Sequence, residues 1–270
     1  ERVAYYDPTY RTGWVHDPEG VARLLAQRHG FIVLDARRLA RWMKAVTERD
    51  PSRTVCVMLQ GMFPDTVAES RLRKTTARRY LDAGGRLVSV GDVPFFQVDG
   101  PGGRRSTWGH AGQQSVLGVG HDWYGHGELV ITQEGRDWGL ELPDTGDRCA
   151  PGAEVLTLRG YKDPHWMRAA TWHKVFDPRH PLQGFLRYRG GALDHVHWNA
   201  KVNELARLAL RGLEEPFRAP ESWRDFALAS APRAVFSDPR YPASWSPDAE
   251  SSAAALAKGW EFTPRDADAL

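Results

Sequence analysis

The residues best placed to do chemistry are an aspartate and several histidines. In YLDAGGRLVSVGDVPFF, residues 80–96, an apolar run ends in Gly91-Asp92 and an aromatic loop. The turn after such a strand is where many α/β enzymes hold a nucleophile, and Asp92 occupies it here. As nucleophile or general base, Asp92 needs a second carboxylate or a histidine within reach. Asp7 and Asp35 are candidate neighbours, and His197 is a candidate catalytic partner. The alternative is that Asp92 merely caps a loop.

The ten histidines are unevenly placed. HDWYGH carries His121 and His126, TWHKVF carries His173, and DHVHW carries His195 and His197. On a strand, His195 and His197 project to one face, so one ligand could meet both. With Asp92 or Asp7 they could form a mixed nitrogen and carboxylate site. A bare H-x-H pair on a strand more often lies at a sheet surface, hydrogen-bonded to backbone. No zinc-finger, H-x-x-x-H or EF-hand spacing occurs, so neither a structural zinc nor any other metal or cofactor is expected.

Polar groups at the other strand exits extend the list: Tyr6 and Asp7, Asp35, and Gln60-Gly61. Together with Gly91, Asp92, Trp123, His173, His195 and His197 they are the expected ligand-binding set. Gly91 would let the backbone approach a ligand, with Asp92 and Gln60 as polar contacts. Eleven tryptophans are many for 270 residues. Trp42 and Trp172 read as core. Trp14, Trp108, Trp123 and Trp166 lie in polar loops, the setting of a sugar-stacking surface or a protein interface.

These groups need elements to position them. RVAYYD, FIVLD, TVCVMLQG and RLVSVGD are apolar runs separated by helical patterns, which implies a parallel sheet covered on both faces. Strands near residues 2–7, 31–35, 54–60 and 86–91 are thus predicted to lie parallel in one sheet, with ligands bound beyond their carboxyl ends. Asp17-Pro18-Glu19 reads as a helix start and Gly30 as its stop. Leu39, Trp42, Met43 and Val46 mark a second helix, and a third is expected from Asp65 through Tyr80. Residues 97–152 read as Gly-rich and irregular, apart from a short helix at QQSVLGV that carries Leu117 to the core. EVLTLRG, AATWHKVF, GFLRYRG and ALDHVHW read as strands, some antiparallel, and NAKVNELARLALRGL as the last helix. The fold class is therefore α/β, a flavodoxin-like doubly wound, mainly parallel sheet with some antiparallel strands in the second half. Residues 1–213 form this domain. Residues 214–270, with seven prolines between Pro216 and Pro264, read as an extended tail that packs on the domain or leads to another.

Bulk properties narrow the function. A net charge of +2 with scattered basic residues offers no electrostatic case for nucleic acid. No run of about 18 apolar residues is present to span a membrane. Cys56 sits mid-strand as a small buried hydrophobe, and two cysteines make no disulfide framework. The chain begins at Glu1, as a processed chain or a domain cut from a longer one would, and the compartment is undetermined.

In this order the motifs resemble the class I glutamine amidotransferase-like superfamily, in particular its ThuA-like proteins and the trimerisation-type domain of bacterial β-galactosidases. VAYYDP opens the domain and LDARRLARWM follows the second strand. VMLQGMFPD ends the third, ARRYLDAGGRLVSVGDVPFF has the helix, Gly-Gly, strand, Gly-Asp pattern, SVLGV resembles the small Leu-Gly element, and RGGALDHVHWNAKVNELARLAL resembles the terminal strand and helix. A glutaminase of this superfamily has a cysteine at the turn occupied here by Val90-Gly91-Asp92-Val93, and a His-x-Glu pair where this chain has His197-Trp198-Asn199. The resemblance thus implies a domain without glutaminase activity that binds or assembles and is associated with carbohydrate, with a small polar or carbohydrate ligand, a protein partner or a second copy as its partners. The alternative is a hydrolase of a sugar or amide that uses Asp92 and a histidine.

Overall fold

The computed structural model describes residues 1–71, 74–121, 128–142, 148–162, 167–189, 198–213, 234–236 and 263–265. The chain divides into two units, Glu1–Phe217 and Arg218–Leu270. The first begins with β1 (Arg2–Tyr5), α1 (Pro18–His29), β2 (Ile32–Leu34), α2 (Ala36–Thr47), β3 (Val55–Met58), β4 (Phe63–Pro64), α3 (Thr76–Asp82) and β5 (Arg86–Val90). It continues with β6 (Gln97–Gly100), β7 (Arg104–Thr107), α4 (His110–Leu117), β8 (Leu129–Ile131), α5 (Gln133–Asp137) and β9 (Ala150–Pro151), then β10 (Leu156–Lys162), β11 (Met167–Lys174), β12 (Gly184–Tyr188) and α6 (Trp198–Leu210). In the second unit, β13 (Ala234–Phe236) pairs in parallel with β14 (Thr263–Arg265).

The main sheet runs β2-β1-β3-β5-β12-β11-β10-β8. The first five strands are parallel, as predicted for the four amino-terminal ones, and β11, β10 and β8 continue the sheet antiparallel. The chain is thus α/β with a mostly parallel central sheet. Every residue of β3 and β5 is buried, which explains why β3 is apolar throughout and why β5 is apolar except for Arg86 and Ser89. One face packs Leu39, Met43 and Val46 of α2 and Tyr80 and Leu81 of α3. The other packs Val21 and Leu25 of α1 against Val202, Leu205 and Leu208 of α6.

Local signals explain the helix ends. Asp17 accepts a hydrogen bond from the Gly20 amide at 3.0 Å, with Pro18 in the first turn, and Gly30 closes α1 in the left-handed region at φ 69°. Asp35 caps α2 through the Arg38 amide at 2.7 Å.

Two expectations are corrected. The third helix does not start at Asp65. The Asp65 amide is taken by the Asp99 carbonyl at 2.8 Å, because Phe63-Pro64 pairs with β6, so residue 65 belongs to a strand exit. The helix begins only where Thr75 caps the Arg78 amide at 3.0 Å, while Glu69 holds the Thr76 amide at 2.8 Å. Nor is the stretch from residue 97 irregular throughout. A Pro101-Gly102-Gly103 turn, with both glycines at positive φ, closes β6 and β7 into an antiparallel hairpin. The short helix at QQSVLGV is present as α4, and Leu117 is buried in the core. The expected strand at ALDHVHW falls largely outside the described residues, and Trp198 is the first residue of α6.

Candidate functional site

The carboxyl ends of the five parallel strands converge on one edge, but most of the expected ligand groups there are already committed. Asp7 is nearly buried. One of its oxygens accepts from the Thr9 amide and hydroxyl at 2.9 and 2.7 Å, the other from the Ala36 amide at 3.1 Å. Burial raises its pKa, but these three bonds outweigh it and hold the carboxyl below the usual range. Gln60, also buried, accepts from the Asp7 amide at 2.8 Å and donates to the Asp7 and Tyr10 carbonyls at 3.0 Å each. Asp7 and Gln60 therefore fasten the loop after β1. Tyr6 donates to Glu19 of α1 at 3.3 Å, and Asp35 is the α2 cap.

The two glycine turns are closed by the same loop. A Cβ on Gly61 would lie 1.9 Å from the Gly13 carbonyl oxygen, and one on Gly91 would meet Val15 at 3.1 Å and the Gly61 backbone at 3.3 Å. Both glycines have positive φ, 67° and 111°. Gly91 thus admits the Gly13–Val15 segment where a ligand was expected. Gly61→Ala is expected to cost about 2 kcal/mol, from left-handed strain plus displacement of Gly13. Urea denaturation checks this, and an unchanged midpoint would contradict the packing.

Asp92 lies just past this plug, facing a basic cluster. Its carboxylate is 3.6 Å from the Arg189 guanidinium and 3.9 Å from that of Arg187. Arg187, fully buried, also donates to the Asp92 carbonyl at 3.1 Å, the Gly91 carbonyl at 3.5 Å and the Arg148 carbonyl at 2.5 Å, so it anchors the turn itself. His110 and His121 stack beside this group, ring centroids 4.3 Å apart, with Phe96 edge-on to His110 at 5.3 Å. Burial, then His110, Arg187 and Arg148, push the His121 pKa down to about 3, although it hydrogen-bonds the Cys149 backbone. Burial and then Arg148 lower that of His110, with Asp92 opposing. Both imidazoles are therefore neutral near pH 7, and among the described residues the charge of the cluster lies on Arg148, Arg187, Arg189 and Asp92.

Sequence reasoning placed Asp92 at this edge and noted His121 without assigning it to the site, but missed Arg148, Arg187, Arg189 and His110. A signal for two of them was present. Arg187 and Arg189 alternate in GFLRYR, a strand otherwise apolar, and an arginine inside a buried strand marks a specific partner. His173, expected at the site, is at the opposite edge. It pairs with Leu186 in the middle of β12, is buried, and reaches back to the Gln183 carbonyl just before that strand, at 2.9 Å, and to the Trp138 ring at 4.7 Å. It lands there because β11 runs antiparallel to β12. Trp123, His195 and His197 lie outside the described residues, as does Trp166. Of the other loop tryptophans, Trp108 is buried in the core, against expectation, while Trp14 is 65% exposed with φ 48°. No group of three or more His, Cys, Asp or Glu among the described residues could hold a metal ion, and no described helix is long and apolar enough to cross a membrane.

The family model for the MJECL34 family matches residues 1–189, which span β1 to β12 and the whole cluster around Asp92. No curated protein and no solved structure matches the chain.

Proposed function

The chain belongs to the MJECL34 family, and from its strand-end geometry we propose that it is a binding domain of amidotransferase-like, flavodoxin-like design that holds a small anionic ligand beside Asp92 and has no glutaminase activity. The single observation that carries this reading is the convergence of Arg187 and Arg189 on one carboxylate. Among the described residues, two guanidinium groups face one carboxylate in a partly buried setting, where an anion gains most. A glutaminase needs a thiol nucleophile at the turn. Here Asp92 stands there, Cys56 is buried within β3, and Cys149, though next to Arg148, is buried and not at the turn. The strand order β2-β1-β3-β5-β12, with the Gly91 turn after the fourth strand and arginines after the fifth, supports the amidotransferase-like reading. The carbohydrate association rests on Trp14, an exposed indole whose neighbours Gly13 and Val15 pack on the strand-end turns. A sugar acid such as glucuronate satisfies both features.

For an anionic ligand, Asp92 is a competitor for the arginines. Asp92→Asn is therefore expected to tighten glucuronate binding about fivefold and to change stability by less than about 1.5 kcal/mol, since both ion pairs are long. Arg189→Gln is expected to weaken binding about tenfold or more. Calorimetric titration of the three proteins tests this. Binding that Asp92→Asn weakens, or that ignores Arg189, would sink the anion reading. The second reading, a hydrolase of a sugar or amide, is favoured by His110 lying within electrostatic reach of Asp92. It requires turnover that Asp92→Asn abolishes while the fold persists.

A further inference from the structure

On the β1–β2 side of the same edge lies a cleft of about 630 Å³ that the Asp92 cluster does not use. Its walls include Asp7, Asp35 and Asp65 together with Arg37, Arg38 and Arg41 of α2. That volume suits a small-molecule site. The six charges are not equivalent. Asp7 is consumed by Thr9 and Ala36, and Asp35 caps α2 while pairing with Arg38 at 3.4 Å. Asp65 accepts from the Tyr10 hydroxyl with one oxygen, at 3.1 Å, which leaves its second oxygen as an acceptor. Arg37 and Arg41 are exposed and make no hydrogen bond or ion pair among the described residues.

The placement of those two arginines is unfavourable by itself. Positions 37 and 41 stand one turn apart on one helix face, where like charges repel. They also sit in the first two turns of α2, near the positive end of its dipole, where cations are disfavoured. An anion between them removes both penalties, and a guanidinium pair suits phosphate geometry. The second oxygen of Asp65 can accept a sugar hydroxyl in the same cleft, so a ligand that carries both a phosphate and a hydroxyl fits it better than phosphate alone.

We infer that this cleft is a second ligand site, for a phosphorylated sugar of the ribose phosphate class, free or as part of a nucleotide, with phosphate on Arg37 and Arg41 and hydroxyls on Asp65. The site is separate from the Asp92 cluster, since the Gly13–Val15 plug lies on the turns after β3 and β5, between the β1–β2 end and Asp92.

Calorimetric titration of the full chain with ribose 5-phosphate, AMP, inorganic phosphate and ribose tests it. Ribose 5-phosphate is expected to bind about tenfold tighter than inorganic phosphate, with ribose weaker than either. AMP binding more tightly than ribose 5-phosphate identifies the nucleotide as the source, and equal or weaker binding identifies the free sugar phosphate. The double variant Arg37→Glu/Arg41→Glu is expected to lose about thirtyfold or more in affinity for ribose 5-phosphate, and its exposed positions keep the melting temperature unchanged. Asp65→Asn is expected to bring ribose 5-phosphate down toward the affinity of phosphate. Arg189→Gln, in the other cluster, is expected to leave in place the preference for ribose 5-phosphate over inorganic phosphate, which depends on Asp65. The proposal is overturned if no saturable binding occurs, if phosphate and ribose 5-phosphate bind alike, or if Arg189→Gln and not the double variant removes the binding.

Discussion

Acidification from pH 6.5 to 4.5 is expected to remove about 2 kcal/mol of stability through His173 alone. The ring is buried in β11, and its pKa is pushed down to about 3, first by burial and then by Arg86, with the bond to the Gln183 carbonyl opposing. The sign follows from proton counting. Below the ordinary histidine pKa of about 6.5 the unfolded chain binds a proton that the folded chain refuses, so stability falls as pH drops. The loss begins near pH 6.5 and continues down to about pH 3, where the folded ring finally protonates. His173→Phe should therefore flatten the stability profile in this window by about 1.4 kcal/mol per pH unit, whatever it does to stability at neutral pH. Urea denaturation at several pH values measures the slope directly. An unchanged slope would mean that the ring is protonated in the folded protein.

Arg86→Met is expected to destabilise the protein by about 3–5 kcal/mol. Arg86 opens β5, is buried, and meets no carboxylate among the described residues. Its guanidinium instead donates to the carbonyls of Leu208 at 3.4 Å, Ala209 at 3.0 Å and Arg211 at 2.5 Å, and also to the Leu182 carbonyl. It thus closes the carboxyl end of α6, where unpaired carbonyls and the negative end of the dipole favour a cation. Burial lowers its pKa to about 10, which leaves the charge in place at neutral pH. Methionine fills the space but orphans these carbonyls in the core. Hydrogen exchange over residues 205–213 should rise in the variant before global unfolding. Arg86→Lys should recover less than half of the loss, because one ammonium cannot span both Leu182 and α6. Because Arg86 also helps to depress His173, the two changes are coupled, and Arg86→Met should raise the pH at which the His173 loss levels off.

Much of the architecture is readable from short stretches of chain. The four amino-terminal strands, their parallel sense, the Asp17 cap, the Gly30 stop and the apolar stripe of α6 were all legible. Each depends on residues within a turn or two of one another: burial period, side-chain capping and the left-handed freedom of glycine act locally. The third helix shows where that ends. Its periodicity ran on to Asp65, but a strand pairing with Asp99, 34 positions away, took the Asp65 amide.

The site was legible only in outline. Residue types at strand exits named Asp7, Gln60, Gly61, Gly91 and Asp92, and all five lie at that edge. Which of them remains available was decided by the tertiary structure. Asp7 and Gln60 spend their donors and acceptors on the loop after β1, and the two glycines receive the Gly13–Val15 plug. Asp92 meets Arg187 across 95 positions because β12 happens to lie beside β5. His173 is carried to the far edge because its strand is antiparallel. Sequence thus determines which groups need partners, since a buried polar atom without one is costly wherever it sits. Only the packed chain decides who the partners are, because hydrogen bonds are saturable and the competition for them is between residues brought together by strand adjacency.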